Sequence, residues 1–231
     1  MKASRCLTAA VVVMSLGVAM GVQAQTQHKR HESSVSKKFH LQHVIEDTYT
    51  HKYEAAVGGG LMRFTAGPTL RRDNQIDWAT SLAYYLNPKY AIVGDIRGHY
   101  GDVSLPNAVY VNGVYTPTYG QHPLVTEYTF LAGPQWRFYR AEKYSMSAHV
   151  LAGMSMGNFD GGSKAIPAPQ LGMWPDSNSA AAADGGVNFD YNFYPNLAFR
   201  ATPYVLYTHF GGANQVNKGV NFQIVFRFGR Q

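Results

Sequence analysis

Beyond residue 52 the chain alternates between two kinds of position. From Leu124 to Tyr139 one set reads Leu124, Thr126, Tyr128, Phe130, Ala132, Pro134, Trp136, Phe138, and the interleaved set reads Val125, Glu127, Thr129, Leu131, Gly133, Gln135, Arg137, Tyr139. A period of two marks an extended strand whose successive side chains point to opposite faces. One face here suits hydrocarbon; the other tolerates charge. The final stretch repeats the pattern, with Phe222, Ile224, Phe226 and Phe228 against Asn221, Gln223, Val225 and Arg227. Near residues 181–193, Val187, Phe189, Tyr191 and Phe193 oppose Asp184, Asn188, Asp190 and Asn192.

The same test predicts eight strands, at about residues 53–64, 76–86, 90–101, 124–139, 144–157, 180–193, 197–210 and 219–229. Each is long enough to cross a bilayer at a tilt. Three connections are tight turns, at Asn87-Pro88-Lys89, Arg140 to Lys143 and Tyr194-Pro195-Asn196. The others are longer: Thr65 to Gln75, Asp102 to Pro123, Asn158 to Ser179 and Gly211 to Lys218. Short turns on one rim, long loops on the other and an even strand count predict an all-β fold, an eight-stranded antiparallel transmembrane up-and-down β-barrel over residues 53–231. A soluble lipocalin-type barrel shares the strand number but would turn its apolar faces inward. An extra hairpin at Val103 to Tyr119 built into the wall would raise the count to ten.

Composition agrees with a wall that does not face water. Charged residues make up 15% of the chain and aromatic residues 13%, against roughly 25% charged in ordinary soluble domains. By this register Tyr90, Trp136, Phe138, Tyr144, Phe193, Leu197, Phe199 and Phe228 fall near the short-turn rim. Trp78, Tyr100 and Tyr207 fall near the long-loop rim, which predicts two aromatic girdles. A bulge at Gly58 to Gly60 or at Pro134 would shift some of them.

The first 24 residues carry Lys2 and Arg5, an apolar run from Leu7 to Val22, and Val22-Gln23-Ala24, as in a secretory signal peptide cleaved after Ala24. The one cysteine, Cys6, lies ahead of that run, so the mature chain has no thiol for a disulfide or a nucleophile. Residues 25–52 read as a polar, His-rich, mobile periplasmic tail with one short helix near 36–46. His28 with His31, and His40 with His43, have a spacing that binds metal on a helix, and His51 adds a fifth histidine to the tail. No fixed scaffold holds them, so neither a metal nor a cofactor is expected. The net charge of +6 does not gather into a basic face, and no nucleic-acid partner is expected of an exported chain.

These features resemble the small outer-membrane barrels, the class containing OmpX and the transmembrane domain of OmpA. The resemblance covers about residues 53–229. The stretch Asn217-Lys218-Gly219-Val220-Asn221-Phe222-Gln223-Ile224-Val225-Phe226-Arg227-Phe228 looks like the terminal strand that the class presents to its barrel-assembly machinery. It departs in that Gly229-Arg230-Gln231 follow the last aromatic. The resemblance implies a bacterial outer-membrane location, with membrane lipid and lipopolysaccharide as partners and an extracellular ligand possible through the long loops.

Inward-facing charges are the candidate site. Glu54, Arg137, Asp190, Arg200 and Arg227 lie toward the periplasmic end, and Asp95, Arg97 and Glu127 belong to the same lumen charge network. Eight strands enclose a lumen that side chains roughly fill, so these charges are expected to pair as a polar plug. His99 with Ser104, or His209 near Gly211, would be the places to look for an enzyme, but no nucleophile motif surrounds them. Gly58-Gly59-Gly60 sits in a strand and reads as a bend or a close strand contact. Val109 to Tyr115 reads as a hairpin with Asn112-Gly113 at its tip. The function expected is a non-enzymatic integral outer-membrane protein with a structural or surface-interaction role. The alternatives are a narrow passive pore for small solutes and, behind it, a lipid-modifying enzyme.

Overall fold

The computed structural model describes residues 34–111, 114–118, 122–161 and 166–230. The segment read as a signal peptide, His28, His31 and the Asn112-Gly113 pair read as a hairpin tip lie outside them. Residues 38–231 form one compact unit, and of residues 1–37 only 34–37, which begin the first helix, are described.

That helix, α1, runs Ser34–Tyr49. Ten strands follow: β1 (His51–Thr65), β2 (Arg72–Tyr85), β3 (Tyr90–Asp102), β4 (Ala108–Val111), β5 (Val114–Pro117), β6 (Leu124–Arg140), β7 (Tyr144–Gly161), β8 (Ser177–Tyr194), β9 (Leu197–Thr208) and β10 (Gln215–Arg230). Eight of them close a barrel in the order β1-β10-β9-β8-β7-β6-β3-β2, while β4 and β5 pair only with each other. The wall therefore has eight strands, and the β4–β5 hairpin stands outside it. All the wall pairings described are antiparallel.

Burial follows the alternation of the sequence. Leu61, Ile76, Leu82, Ile92, Phe130, Val150, Phe189, Ile224 and Phe226 stand exposed on the outside, while charged residues on the same strands are buried. This inside-out arrangement suits a wall bathed in hydrocarbon, where unpaired backbone groups are costly and only a closed barrel satisfies them all. Aromatics mark both ends of the exposed belt. Tyr90, Trp136, Phe138, Tyr144, Phe193 and Phe228 are exposed at the short-turn rim. At the long-loop rim Trp78 Nε1 donates to Tyr100 Oη at 3.3 Å, and the Tyr100 and Tyr128 hydroxyls lie 2.8 Å apart.

Several expectations need correcting. β2, β8 and β10 begin at Arg72, Ser177 and Gln215 rather than at 76, 180 and 219. The apolar alternation reports only the lipid-facing part of each strand, and the hydrogen-bonded ladder continues past it wherever a neighbour supplies partners. Tyr139, placed on the inner face by strict alternation, is 49% exposed, because a bulge between Arg137 and Tyr139 turns it out. The β1 register runs unbroken through Gly58 to Gly60, so the glycines make no bulge. They allow close approach at the seam: a Cβ on Gly58 would overlap the Phe222 carbonyl oxygen, and one on Gly60 the Val220 carbonyl oxygen. Pro134 pairs with Ile92 in unbroken register with β3. Finally, the end of the segment read as a mobile tail is ordered. α1 extends to Tyr49, Thr48 and Tyr49 are buried, and β1 begins at His51.

Candidate functional site

The lumen holds two ionic clusters, stacked along the barrel axis. The one nearer the short turns centres on Glu54 of β1. Arg137 Nη2 reaches Glu54 Oε2 at 2.6 Å, Arg227 Nε reaches the same oxygen at 3.0 Å, and Arg200 pairs with Glu54 Oε1. Asp190 is shared in the same way, by Arg200 Nε at 2.7 Å and Arg227 Nη2 at 3.4 Å, with Ser145 Oγ donating at 3.1 Å. Strands β1, β6, β8, β9 and β10 are thus tied together across the interior. All five side chains are almost fully buried. Such charges are tolerable in a dry interior only when each is paired and further hydrogen-bonded.

The second cluster lies nearer the long loops. Arg97 pairs with Asp95 at 2.7 Å and Asp184 at 2.8 Å, and His149 Nε2 lies 3.1 Å from the same Asp184 oxygen. The Arg97 guanidinium also lies 4.3 Å from the centroid of the Tyr204 ring, whose hydroxyl donates to Asp77 at 2.9 Å. Glu127 is in neither cluster. It accepts a hydrogen bond from Ser155 Oγ at 2.8 Å. A neutral chain extends from the first cluster into the space between the two: Thr202 donates to Asn188 at 2.9 Å, Asn188 to Gln135 at 3.0 Å, and Gln135 to Tyr85 Oη at 2.7 Å, with Tyr85 also bonded to Arg137.

Between the clusters, the enclosed space bounded by Asp95, Arg97, His149, Asn188, Arg200 and Gln223 is only about 20 Å³. That holds about one water molecule.

Both mouths are covered. β7 lies directly opposite β1 around the barrel, yet the connection from β7 to β8 reaches the end of β1, where Trp174 Nε1 donates to Thr65 O at 2.9 Å and Trp174 N to Ala66 O at 2.8 Å. The loop therefore crosses the outer mouth. It carries Leu171 and Met173 into an apolar core with Phe64, Val125, Phe159 and Phe210. Phe159 and Phe210 meet edge to face at 5.1 Å between ring centroids.

At the other end Tyr49, just before β1, reaches across to the turns on the far side. Its hydroxyl donates to Ala141 O at 2.7 Å and accepts from Asn192 Nδ2 at 3.0 Å. Arg137 and Arg227 face its ring at 5.1 and 5.8 Å.

Leu171→Ala together with Trp174→Ala should release the outer cap without opening the wall, because the lost burial, about 2–5 kcal/mol for the leucine alone, falls on the loop and the strand ends beneath it and leaves the ladders of the wall intact. The check is limited proteolysis. Cleavage between residues 162 and 176 should become rapid while the eight strands stay protected; a loop equally resistant in the variant would show that these contacts do not hold it.

The structure thus brings Glu54, Arg137, Asp190, Arg200 and Arg227 into one cluster, places Asp95 and Arg97 in another, and leaves Glu127 apart. Alternation alone did not point to Tyr49, Tyr85 and Tyr204. Tyr85 and Tyr204 do share inward parity with Ala83 and Arg200, a signal that was available. Tyr49 precedes the alternating region and gave none.

The residues considered for catalysis do not converge. His99 is fully buried, with Nδ1 3.6 Å from Asp77, whereas Ser104 Oγ donates to Asp73 at 3.2 Å and His209 bonds Asn214 at 2.8 Å. Among the described residues no group of three or more His, Cys, Asp or Glu side chains is arranged to hold a metal ion. His40 and His43 are exposed on α1.

An inside-out, closed, eight-stranded wall of this kind defines the small outer-membrane barrels as a class. Among solved structures, Neisserial surface protein A is similar at a TM-score of 0.52 and 10% identity, covering 77% of this chain and 97% of that one. Ail, the attachment invasion locus protein of Yersinia pestis, gives 0.47 at 15% identity, covering 76% of this chain and 99% of that one. OprG of Pseudomonas aeruginosa gives 0.48 at 9% identity, covering 78% and 98%. At such identities the likeness is one of fold. No family model matches the chain, and no curated protein sequence does either.

Proposed function

We propose that the protein is an integral barrel of the bacterial outer membrane, exported by its N-terminal signal segment, that serves as a non-enzymatic structural and surface-interaction element and does not conduct solutes. The observation that carries this reading is the sealed lumen. Ion pairs brace its interior, Tyr49 lies across one mouth, and the Leu171–Trp174 loop covers the other. Passage of even a small solute would require breaking several buried ion pairs together, each costly to separate. The long-loop rim is correspondingly built up. It carries the apolar cap and, outside the wall, the β4–β5 hairpin, whose Val114 and Tyr115 are 66% and 56% exposed. Exposed apolar side chains on a loop suit contact with a partner.

Swelling of proteoliposomes in small sugars, with conductance across planar bilayers, tests the reading. Lipid-only rates and no discrete conductance steps are expected. Swelling graded by solute size would establish the pore instead, and acyl release from purified lipids would establish the enzyme.

A further inference from the structure

All four lumenal arginines that brace the clusters have carboxylate partners. The cations on the outside of the wall at the long-loop end do not. Arg63 on β1, Lys218 on β10, Arg72 at the start of β2 and Arg71 beside it are all exposed. Arg63 stands directly opposite Lys218 in the β1–β10 register, and Arg72 opposite Thr65 in the β1–β2 register. Arg72 Nη1 donates to the Val216 carbonyl of β10 at 3.2 Å, so its guanidinium reaches across β1 toward the other two.

Like charges placed directly opposite each other destabilise a strand pair. No carboxylate relieves this one. Among the described residues none of the four cations forms an ion pair. Asp73 is committed to Ser104, and Asp102, at the end of β3 beyond β2, is not within ion-pair distance of any of them.

Depth identifies the missing anion. Two residues below Arg63, Leu61 faces Val220 and Ile76, and Leu61 and Ile76 are 54% and 64% exposed. The wall thus changes from hydrocarbon to cations within one row, about 7 Å along the strand. That is the level at which a lipid's phosphates lie above its acyl chains. Cations in two successive rows, on three adjacent strands, suit a headgroup with more than one phosphate better than a single monoanion.

We propose that Arg63, Arg72 and Lys218, assisted by Arg71, bind the phosphates of a bisphosphorylated outer-leaflet glycolipid whose acyl chains lie against Leu61, Ile76 and the rows beneath. This rests on the membrane reading above, with the long loops outward.

Native mass spectrometry of the purified full chain in detergent tests it, with four probes: bisphosphorylated lipid A, lipid A stripped of both phosphates, phosphatidylglycerol and inorganic phosphate. The bisphosphorylated lipid should be retained in preference to the other two lipids, and millimolar inorganic phosphate should not displace it. Arg63→Gln with Lys218→Gln should weaken retention roughly 30-fold, about fivefold per cation. The heat-modifiable gel shift of the folded barrel should be unchanged in this variant. Equal retention of the stripped lipid or of phosphatidylglycerol, displacement by inorganic phosphate, or undiminished binding by the folded variant would overturn the site and leave the barrel standing. If the native chain itself shows no heat-modifiable form, the membrane reading falls and the site with it.

Discussion

Glu54→Ala should lower the stability of the barrel by about 3–5 kcal/mol, the usual cost of breaking a buried ion pair by removing one partner. The physical reason lies in the count of charges. Three guanidiniums, those of Arg137, Arg200 and Arg227, converge on Glu54, and among the described residues Asp190 is the only other carboxylate bonded to them. Removing Glu54 leaves mutually repelling cations in a space from which water is largely excluded, and Arg137 loses its only ion-pair partner among the described residues. The urea midpoint of the vesicle-inserted protein, followed by the heat-modifiable gel shift, measures the loss. Glu54→Gln keeps the shape but not the charge and should fall between the native protein and the alanine variant. Lys89→Ala, at a short-turn position that forms no ion pair among the described residues, should change stability by less than about 0.5 kcal/mol. A midpoint for Glu54→Ala as insensitive as that of Lys89→Ala would mean that the ionic cluster fills the lumen without bracing it.

Gly60→Val should prevent the barrel from closing. The β1–β10 pairing joins the two ends of the wall, with His51 opposite Arg230, so it has the longest sequence separation of any strand pair and the highest loop-closure cost. At Gly60 the strands pack so closely that a Cβ would overlap the Val220 carbonyl oxygen and come within 2.8 Å of Asn221 Cα. A β-branched residue there must push the seam apart, losing ladder hydrogen bonds that lipid cannot replace. Overpacking of this kind costs about 1–3 kcal/mol in a soluble core, and the seam adds the lost ladder bonds to that. In refolding into detergent or vesicles, the fraction reaching the heat-modifiable form should collapse for Gly60→Val. Gly94→Ala is the matched control, since a Cβ at Gly94 meets no atom within 4 Å. Normal refolding of Gly60→Val would show that the seam has slack the backbone geometry does not reveal.

How far the fold could be read from the chain depended on which residues carried a local signal. The wall was legible because lipid outside and a polar lumen inside impose opposite demands on neighbouring positions. Leu124 to Phe138 and Phe222 to Phe228 therefore declare strand, face and orientation within a few residues. The lengths of the connections similarly separated the two rims. The inward parity of Glu54, Arg137, Asp190, Arg200 and Arg227 followed from the same rule, as did the grouping of these five by depth. Strict alternation failed at Tyr139, where a bulge inserts a residue into the pattern without any mark in composition.

What the chain could not declare is which of its inward charges meet. Arg97 joins Asp184, 87 residues away, and Glu54 joins Arg227, 173 residues away. Such partnerships depend on the stagger of the closed wall, which no local pattern encodes. The same holds for the two covers. Tyr49 belongs to a polar segment with no periodicity, and Leu171, Met173 and Trp174 sit in a loop whose apolar residues have no regular spacing. Their burial exists only because closure of the barrel creates a mouth for each to cross. Sequence alone thus determined a charged, lipid-facing antiparallel barrel of eight or ten strands, because each strand's two faces are set residue by residue. Only the tertiary structure decided that eight strands form the wall, with β4 and β5 outside it, and that ion pairs brace the lumen while Tyr49 and the Trp174 loop cross its mouths, because that depends on contacts between residues that closure brings together from opposite sides of the wall.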